Sequence, residues 1–389
     1  MESIEQMIKR LCPKGVEWKK ISEIGTIYRG FAYSKKDFTE TGTPCIHYGQ
    51  IYTRYGTFAN KTFTCVSKDL AKGKRLAKKG DLVMAVTSEN LEDVGKCLAW
   101  LGEDDILVSN HACFIRHSLN PKYLAYFLQS SYFFKYKKKI SKGVKVIDLD
   151  LNMFGDMLIP VPPLEIQSRI VEVLDKMTTL TAELEAELEA RKQQFEYYRN
   201  KLLTFSEIGG GNRFVKLGDV CELGTGSHNT QDGLIEGLYP FYTRGIDILF
   251  LNEYDYDETA IVTAGDGAGV GKVIHFVKGK YSLHQRAYRI VADEQQVLAK
   301  YVYHYMKATF YNYIIRSSVS SSVTSVRKPM LYDYPIPIPP LSEQQRIVSI
   351  LDRFEALTTD LQSGLPAEIE ARRQQYEYYR NKLLTFEAV

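Results

Sequence analysis

The chain has 389 residues, of which 44% are apolar and 25% charged, and its formal net charge is +3. This length and composition predict a folded protein of about two domains. Its first residues lack a basic segment followed by an apolar one, and no run of about eighteen apolar residues occurs, so we expect neither export nor a membrane span. Six scattered cysteines without a Cys-x-x-Cys spacing argue against a zinc site or a disulfide framework, and indicate reduced thiols in a cytoplasmic protein.

Residues 1–163 form the first predicted domain and hold the positive surplus, with 25 Lys and Arg against 17 Asp and Glu. Strand-like runs such as "DLVMAV" and "KCLAWL" precede the segment "PKYLAYFLQSSYFFKYKK", whose aromatic residues have helical spacing and are expected in the core. Two basic runs, "KDLAKGKRLAKK" and "FFKYKKKISKGVKV", are individually typical of a solvated surface. Their presence in one domain, with Tyr and Phe interleaved, also indicates a polyanionic partner.

Residues 164–205 form a predicted spacer helix. Their apolar residues recur at steps of three and four, which is typical of an amphipathic helix with a coiled-coil seam. Two prolines precede the segment and three glycines follow it, and these residue types end helices. The predicted seam positions of this helix are Ile170, Leu174, Met177, Leu184 and Leu188.

Residues 206–340 form the second predicted domain, which is close to neutral, with 13 Lys and Arg against 14 Asp and Glu. Strand-like runs "TAIVT" and "KVIHFV" flank "GDGAGVGK", and an aromatic helical segment, "QVLAKYVYHYMKATFYNYII", follows. The glycine-rich stretch is similar to a phosphate-binding loop, but Asp266 stands where the first glycine is required and Val273 replaces the Ser or Thr. A hairpin or binding loop between two strands is the favoured interpretation.

Residues 341–389 form a second predicted spacer helix. Gly364 and Pro366 interrupt its pattern, and proline removes a helical N–H group and disfavours the α conformation of the preceding residue. We therefore expect a bend or break there. The seam positions predicted for this helix are Ile347, Leu351, Phe354 and Leu361.

The two spacer helices are copies of one another. The stretch "IPVPPLEIQSRIVEVLDKMTTL" (159–180) returns as "IPIPPLSEQQRIVSILDRFEAL" (336–357), and "ARKQQFEYYRNKLLTF" (190–205) returns as "ARRQQYEYYRNKLLTF" (371–386). The shift grows from 177 to 181 residues because the first copy has two four-residue units, TAEL and EAEL, where the second has three, TTDL, QSGL and PAEI.

Fainter similarity connects the domains themselves. We align "EWKKISEIGTIYRG" (17–30) with "RFVKLGDVCELGTG" (213–226), "AVTSENLEDVGK" (85–96) with "IVTAGDGAGVGK" (261–272), and "SNHACFIR" with "SLHQRAYR". The expected fold class is therefore α+β: two mixed α/β domains separated by two long antiparallel coiled-coil helices, in a pseudo-twofold tandem repeat.

The repeated segments resemble the specificity (S) subunit of bacterial type I restriction-modification enzymes, and the resemblance covers essentially the whole chain. It rests on the twin "QQ-x-EYYRNKLL" helix ends, the four-residue units and the proline-rich entry to each helix. That entry comprises Pro160, Pro162, Pro163, Leu164, Gln167, Arg169, Ile170, Val171, Leu174 and Asp175, with counterparts beginning at Pro337.

The resemblance implies that each domain is a target recognition domain that reads one half of a two-part, asymmetric DNA target. It further implies that the helices set the gap between the half-sites and dock two methyltransferase (M) subunits, and that restriction (R) subunits complete the complex. One extra four-residue unit lengthens a helix by about 6 Å, or about one or two base pairs. We expect S-adenosylmethionine, ATP and Mg to be bound by those partner subunits and no cofactor or metal in this chain.

Two alternatives differ in class. The near-neutral second domain fits a coiled-coil adaptor whose globular domains bind protein partners, because a phosphate-binding surface is usually basic. An enzyme that methylates or cleaves DNA alone would need a catalytic constellation, and the chain has no Asn/Asp-Pro-Pro-Tyr/Phe motif. We therefore predict no catalytic residues.

Candidate DNA contacts are basic residues for phosphates and Arg, Lys, Asn, Gln and Ser in loops for base edges. In the first domain the candidates for base readout are Tyr28, Arg29, Gln50, Arg54, Asn90, Lys142 and Lys145, and those for phosphates are Lys72, Lys74, Arg75, Lys137 and Lys138. In the second domain the candidates are His228, Asn229, Arg244, Asp266, Gln285, Arg286, Ser318, Ser320, Ser321, Arg327 and Lys328.

Overall fold

The computed structural model describes residues 2–205, 213–317, 325–360 and 363–386. The chain forms two compact units: Met1–Glu183 with Ile369–Val389, and Leu184–Glu368. The predicted boundaries at residues 163, 205 and 340 follow chain order, whereas each compact unit takes in part of both spacer segments. None of the helices in the described residues is long and apolar enough to cross a membrane.

The first unit places a five-stranded sheet, in the order β2-β11-β7-β9-β5, beside helices α5 and α6, and it has smaller sheets β10-β4-β6-β3, β12-β13-β8 and β1-β14. Its helices are α1 (Ile4–Leu11), α2 (Ile21–Ile24), α3 (Tyr48–Thr53), α4 (Lys68–Ala71), α5 (Pro121–Phe127), α6 (Ser131–Ile140), α7 (Leu151–Gly155) and the first part of α8 (Leu164–Leu203). Its strands are β1 (Trp18–Lys20), β2 (Gly25–Arg29), β3 (Phe38–Thr39), β4 (Thr43–Ile46), β5 (Phe58–Ala59), β6 (Thr64–Val66), β7 (Leu82–Ala85), β8 (Thr87–Ser88), β9 (Cys97–Trp100), β10 (Leu107–Val108), β11 (Ala112–His117), β12 (Ser141–Lys142), β13 (Ile147–Leu149) and β14 (Leu158–Pro160).

The second unit contains a six-stranded sheet, β16-β21-β19-β20-β17-β18, and the pair β15-β22. Its strands are β15 (Arg213–Lys216), β16 (Cys221–Thr225), β17 (Tyr239–Tyr242), β18 (Leu249–Leu251), β19 (Tyr256–Ala264), β20 (Ile274–Leu283), β21 (Ala287–Ala292) and β22 (Pro335–Ile338). Its helices are the end of α8, α9 (Leu217–Val220), α10 (Ala299–Ser317), α11 (Lys328–Tyr332), α12 (Leu341–Thr359) and the start of α13 (Leu365–Leu384).

The aromatic segments are core elements, as predicted. Tyr123, Tyr126 and Phe127 of α5 are buried in the first unit, and Tyr301 and Phe310 of α10 are buried in the second. The glycine-rich stretch joins the antiparallel strands β19 and β20. It is therefore a hairpin loop and does not open a helix, which excludes the phosphate-loop interpretation.

The glutamine of the proline-rich motif ties each spacer helix to the domain before it. In the first unit the buried Gln167 side chain accepts from the backbone N–H of Asn120 (2.8 Å) and donates to the carbonyl of Pro162 (2.7 Å). In the second unit the buried Gln344 side chain accepts from the N–H of Leu298 (2.9 Å) and donates to the carbonyl of Pro339 (2.8 Å). A buried amide held at both ends fixes the direction in which the helix leaves its domain.

The nearly identical ends of the spacer segments occupy equivalent places in different units. Leu384 and Phe386 belong to the core of the first unit, together with Ile170 and Leu174 of α8. Leu203 belongs to the core of the second unit, where Phe195 stacks on Phe354 at a ring distance of 6.2 Å. Each unit thus combines the beginning of one spacer segment with the end of the other.

The predicted interruption of the second spacer segment is confirmed. Helix α12 ends at Thr359 and α13 begins at Leu365, with Pro366 in its first turn. A Cβ atom on Gly364 would lie 2.7 Å from the carbonyl oxygens of Ala356 and Asp360, so the chain can turn tightly against the end of α12 only with glycine there.

The strand pairings correct two of the three faint alignments. Residues 17–30 and 213–226 are in register, because Trp18 pairs with Pro160 as Phe214 pairs with Pro337. In contrast, Ala85 corresponds to Ala264 rather than to Ile261, since each is the last residue paired with β11 or β21. The turn Ser109–Ala112 likewise corresponds to His284–Ala287, and a 2.9 Å backbone hydrogen bond closes each turn. The alignments were therefore wrong by three and by two residues.

Candidate nucleic-acid interface

In the second unit, loops at one end of the six-stranded sheet bring together residues that are far apart in sequence. Arg244 follows β17, Asp266 lies in the β19–β20 loop, and Arg286 lies in the turn before β21. Asp266 accepts a hydrogen bond from Arg244 Nη1 (2.9 Å) and another from Arg286 Nη1 (2.8 Å). The three residues, hereafter the Arg-Asp-Arg cluster, are all among the predicted DNA contacts.

The carboxylate is the least exposed member of this cluster. The Asp266 side chain is 21% exposed, compared with 40% for Arg244 and 63% for Arg286. Partial burial raises the pKa of Asp266, but the hydrogen bonds from the two guanidinium groups outweigh that effect and hold the pKa below its usual range. The ionised carboxylate therefore anchors both arginines while they stay accessible.

Polar residues extend the cluster along the same end of the sheet. Gln285 Nε2 donates to Asn229 Oδ1, and the Gln285 N–H donates to the carbonyl of His228 (2.9 Å). His228 Nε2 lies 3.1 Å from Asp255 Oδ1. Predicted base contacts from one further loop, His228 and Asn229 between β16 and β17, and from Gln285 in the turn of Arg286 are thus next to the Arg-Asp-Arg cluster.

Arg327 and Lys328 flank this surface and are exposed. Their position follows from Val326, whose N–H donates to the carbonyl of Gly265 (2.7 Å), next to Asp266. Ser318, Ser320 and Ser321 lie outside the described residues. Although the second domain is nearly neutral as a whole, Arg244, Arg286, Arg327 and Lys328 place four positive side chains at this end.

The residues predicted for the first unit do not form one cluster. Arg75 stacks on the Tyr28 ring (4.3 Å) and Lys74 on the Phe31 ring (5.2 Å), while Arg54 lies over Phe63 (5.4 Å). Elsewhere in the unit, Asn90 bonds to Asp93 and Lys142 pairs with Asp150. Arg29, Lys72, Lys138 and Lys145 are exposed.

Two of these candidates need correction. Lys137 is buried and its ammonium group donates to the carbonyls of Glu92 (3.1 Å) and Val94 (2.9 Å), and burial lowers its pKa. Gln50 is also buried; its side chain accepts from the N–H of His47 (3.0 Å) in a helix cap. Both side chains hold the fold together, so we no longer assign them as DNA contacts.

The counterpart of the Arg-Asp-Arg cluster in the first unit is formed by Tyr48, Thr87 and His111. Thr87 Oγ1 lies 3.3 Å from His111 Nδ1, and the rings of His111 and Tyr48 are 5.0 Å apart. Thr87 Oγ1 also donates to Asp148 Oδ1 (2.6 Å). We call Tyr48, Thr87 and His111 the Tyr-Thr-His cluster; sequence reasoning missed all three.

Backbone contacts establish this equivalence position by position. The N–H of Val86 donates to the carbonyl of His111 (2.9 Å), as the N–H of Gly265 donates to that of Arg286 (2.8 Å); Thr87 and Asp266 come next. The N–H of Ser109 donates to the carbonyl of Ile46, and the N–H of His284 donates to the carbonyl of Tyr242. Tyr48 lies two residues after Ile46, and Arg244 lies two residues after Tyr242, so Tyr48 and Arg244 are equivalent. An alignment in the correct register would have placed His111 opposite Arg286.

A short hairpin lies beside the Tyr-Thr-His cluster. Strands β12 and β13 pair with each other, and β13 pairs with β8 at Asp148 and Thr87. The hairpin turn carries Lys145 and also Val144, whose exposed fraction is 96%. Lys142, which pairs with Asp148, and Lys145 in the turn are therefore predicted contacts on a hairpin that is joined directly to Thr87.

The predicted seam residues divide between positions in a domain core and positions that are only partly buried. Ile170 and Leu174 are buried in the first core, and Ile347 and Leu351 in the second. Met177, Leu184, Leu188 and Phe354 are partly buried, and Leu361 lies outside the described residues. The first turns of each spacer helix therefore bind mainly to their own domain.

One group in the described residues has the composition of a metal site. The ligand atoms of His304, Asp352 and Glu355 lie within 4.8 Å of one another. Lys300 is 3.6 Å from both carboxylates, and Lys307 is 2.9 Å from Glu355. Because ammonium groups already compensate these carboxylates, the group is a polar junction between α10 and α12 rather than a cation site.

The chain contains two copies of one mixed domain, and each has a cluster of hydrogen-bonding side chains at the equivalent end of its sheet. This arrangement suits a protein that recognises a ligand with two parts. The comparisons with known proteins identify that class. The family model for the type I restriction modification DNA specificity domain matches residues 13–191 and 210–371. The chain belongs to this family.

Similar proteins carry the same assignment. The chain is 36% identical to the EcoR124I/EcoR124II specificity subunit of Escherichia coli over 61% of this chain and 65% of that protein. It is 28% identical to a Haemophilus influenzae protein assigned as a type I restriction enzyme specificity subunit, over 95% of this chain and 96% of that one. An S subunit structure from Mycoplasma genitalium has the same fold, with a TM-score of 0.60 at 14% identity over 95% of this chain and 96% of that one.

The chain is thus a non-catalytic DNA-recognition subunit. Family membership implies a complex with methyltransferase and restriction subunits and with DNA. The coiled-coil adaptor alternative is not supported.

Proposed function

We propose that the chain reads a two-part, asymmetric DNA sequence, one half-site per domain, and thereby directs adenine methylation or restriction by its partner subunits. The observation that carries this proposal is that the two domains share the same backbone arrangement around their clusters but bear different side chains at equivalent positions. A shared frame suits two half-sites of the same geometry. Different hydrogen-bonding groups suit different base sequences.

The duplicated helix ends support two M subunits per chain. Tyr197 and Tyr378 are 60% and 61% exposed, and their neighbours Tyr198 and Tyr379 are 36% and 38% exposed. Adjacent exposed tyrosines are typical anchors of protein interfaces. Two copies of one surface, kept letter for letter, suit two copies of one partner. In this assembly S-adenosylmethionine, ATP and Mg bind to the partner subunits.

The test is to express the full chain with its methyltransferase subunits and to map methylated adenines across the host genome. We expect a single sequence made of two unlike half-sites separated by a fixed number of unspecified bases. Cells with the methyltransferase subunits but without this chain serve as the control and should lack that pattern.

Two outcomes would contradict the proposal. Methylation at a continuous or palindromic sequence would show that the two domains do not read separate, unlike half-sites. An unchanged pattern in cells without this chain would show that specificity lies elsewhere.

A further inference from the structure

We propose that Arg244 and Arg286, oriented by Asp266, read guanine in one half-site. Tyr48 and His111 occupy the equivalent reading position for the other half-site, where the buried Thr87 hydroxyl contacts the His111 ring. This inference rests on the proposed function, because it specifies which base one domain selects. The argument depends on the geometry of the Arg-Asp-Arg cluster.

The cluster has the donors that guanine requires. Guanine presents two acceptors, O6 and N7, in the major groove, and an arginine fork binds both at once. Each guanidinium has several N–H donors, and one Nη atom of Arg244 and of Arg286 is bonded to Asp266. The exposed remainder of each group can therefore meet base acceptors.

Asp266 is what distinguishes base reading from simple phosphate binding. A phosphate contact needs positive charge, and a carboxylate placed between two arginines reduces it. The same carboxylate restricts the rotation of both guanidinium groups before DNA arrives, which lowers the entropy cost of a directed contact. Asp266 is thus a positioning residue, and Arg327 and Lys328 beside it provide charge for phosphates.

The equivalent place in the first unit has a different chemistry. Thr87 replaces the carboxylate, and an aromatic ring and an imidazole replace the two guanidinium groups. This set offers neither an arginine fork nor, as Asp266 does, a partly buried anion to orient one. The two half-sites should therefore differ at the base pair that these positions face.

The experiment uses the full chain in its methyltransferase complex and a library of duplexes in which every base of both half-sites is varied. Arg244→Lys and Arg286→Lys keep the charge but remove the fork. We expect at least one of them to lower the preference for guanine at one position by about 5- to 150-fold, the equivalent of one good bidentate contact. Asp266→Asn should relax the same position, and His111→Ala should change preferences only in the other half-site.

Lys328→Ala is the matched control, because a phosphate contact weakens binding to all sequences alike. Competition binding of the same duplexes gives the base preference of any variant whose complex no longer methylates, and thermal unfolding verifies that each variant is folded. The inference is overturned if neither half-site contains a guanine whose preference either lysine variant changes, or if His111→Ala alters the same half-site as Arg286→Lys. If the wild-type complex selects no two-part sequence, the proposed function itself fails.

Discussion

The two units keep the same contacts where each domain meets its spacer helix, and they differ in the side-chain clusters at the equivalent end of each main sheet. At the junction, Tyr123 and Tyr301 each donate to a proline carbonyl at 3.0 Å. Asp175 and Asp352 each bind a ring group of the domain helix at 2.7 Å, from Tyr126 and His304. At the loop ends, by contrast, no side chain of the Arg-Asp-Arg cluster is matched by the Tyr-Thr-His cluster.

This difference shows which features the duplicated fold requires. Buried hydrogen bonds at the junction set the orientation of each domain on its helix, and losing one leaves an unsatisfied polar group. Exposed loop side chains at a sheet end, such as Arg286 and His111, carry no such cost when they change. When the backbone of a domain is maintained and its DNA-reading side chains diverge, the two clusters are expected to occupy equivalent positions and to differ in chemistry.

The strongest test of the equivalence is to shorten the same repeat position in each copy. Leu203 and Leu384 are 3% and 2% exposed and belong to the cores of the second and first units, respectively. We expect Leu203→Ala and Leu384→Ala each to lower the free energy of unfolding by about 2–5 kcal/mol. Hydrogen exchange should show the loss of protection in residues 184–368 for the first variant and in residues 1–183 for the second.

Tyr197→Ala and Tyr378→Ala are the controls, since these side chains on the same helix ends are exposed and their loss should change stability by less than about 0.5 kcal/mol. If Leu384→Ala deprotects only its own helix, the end of the second spacer segment is not part of the first core.

Much of this frame was predictable from the sequence. The repeated motif identified both spacer helices, and Gly364 with Pro366 located the break, because helical periodicity and proline geometry act locally. The same periodicity could not reveal that Leu384 lies in the core of the first unit. An apolar stripe predicts burial but does not name the surface that covers it.

The reading positions were only half predictable. Arg244, Asp266 and Arg286 were found because charged and polar residues in loops suggest DNA contacts. Thr87 and His111 were missed because the faint alignments were out of register, with Ala85 set opposite Ile261 instead of Ala264 and Ser109 set opposite Ser282 instead of His284. Only the strand pairing restores the correspondence.

A second test compares the two junction carboxylates. Asp175 accepts from Tyr126 and from Lys122 Nζ, each at 2.7 Å. In the other unit, Lys300 lies 3.6 Å from Asp352 and equally near Glu355. Because Glu355 can keep Lys300 paired, we expect Asp175→Asn to cost about 1–3 kcal/mol and Asp352→Asn clearly less, as measured by denaturant unfolding. Equal costs would mean that Glu355 does not compensate.

The smallest expected effect concerns pH, because the junctions differ by one titratable ring. Burial lowers the pKa of His304, and this effect outweighs the opposite influence of the hydrogen bond to Asp352 and of the nearby Glu355 carboxylate. A histidine whose pKa is lower in the folded state than in the unfolded chain resists protonation only when folded, so acid favours unfolding. Stability should therefore fall as pH decreases below about 6.5. His304→Tyr, which copies the first unit, should reduce that fall and leave stability above pH 7 less affected.

His117, whose pKa burial lowers to about 4, keeps part of the pH dependence in both the wild-type protein and the variant. If acid instead stabilises the wild-type chain relative to the variant, the His304–Asp352 contact is an ion pair and the junctions differ in charge as well as in shape.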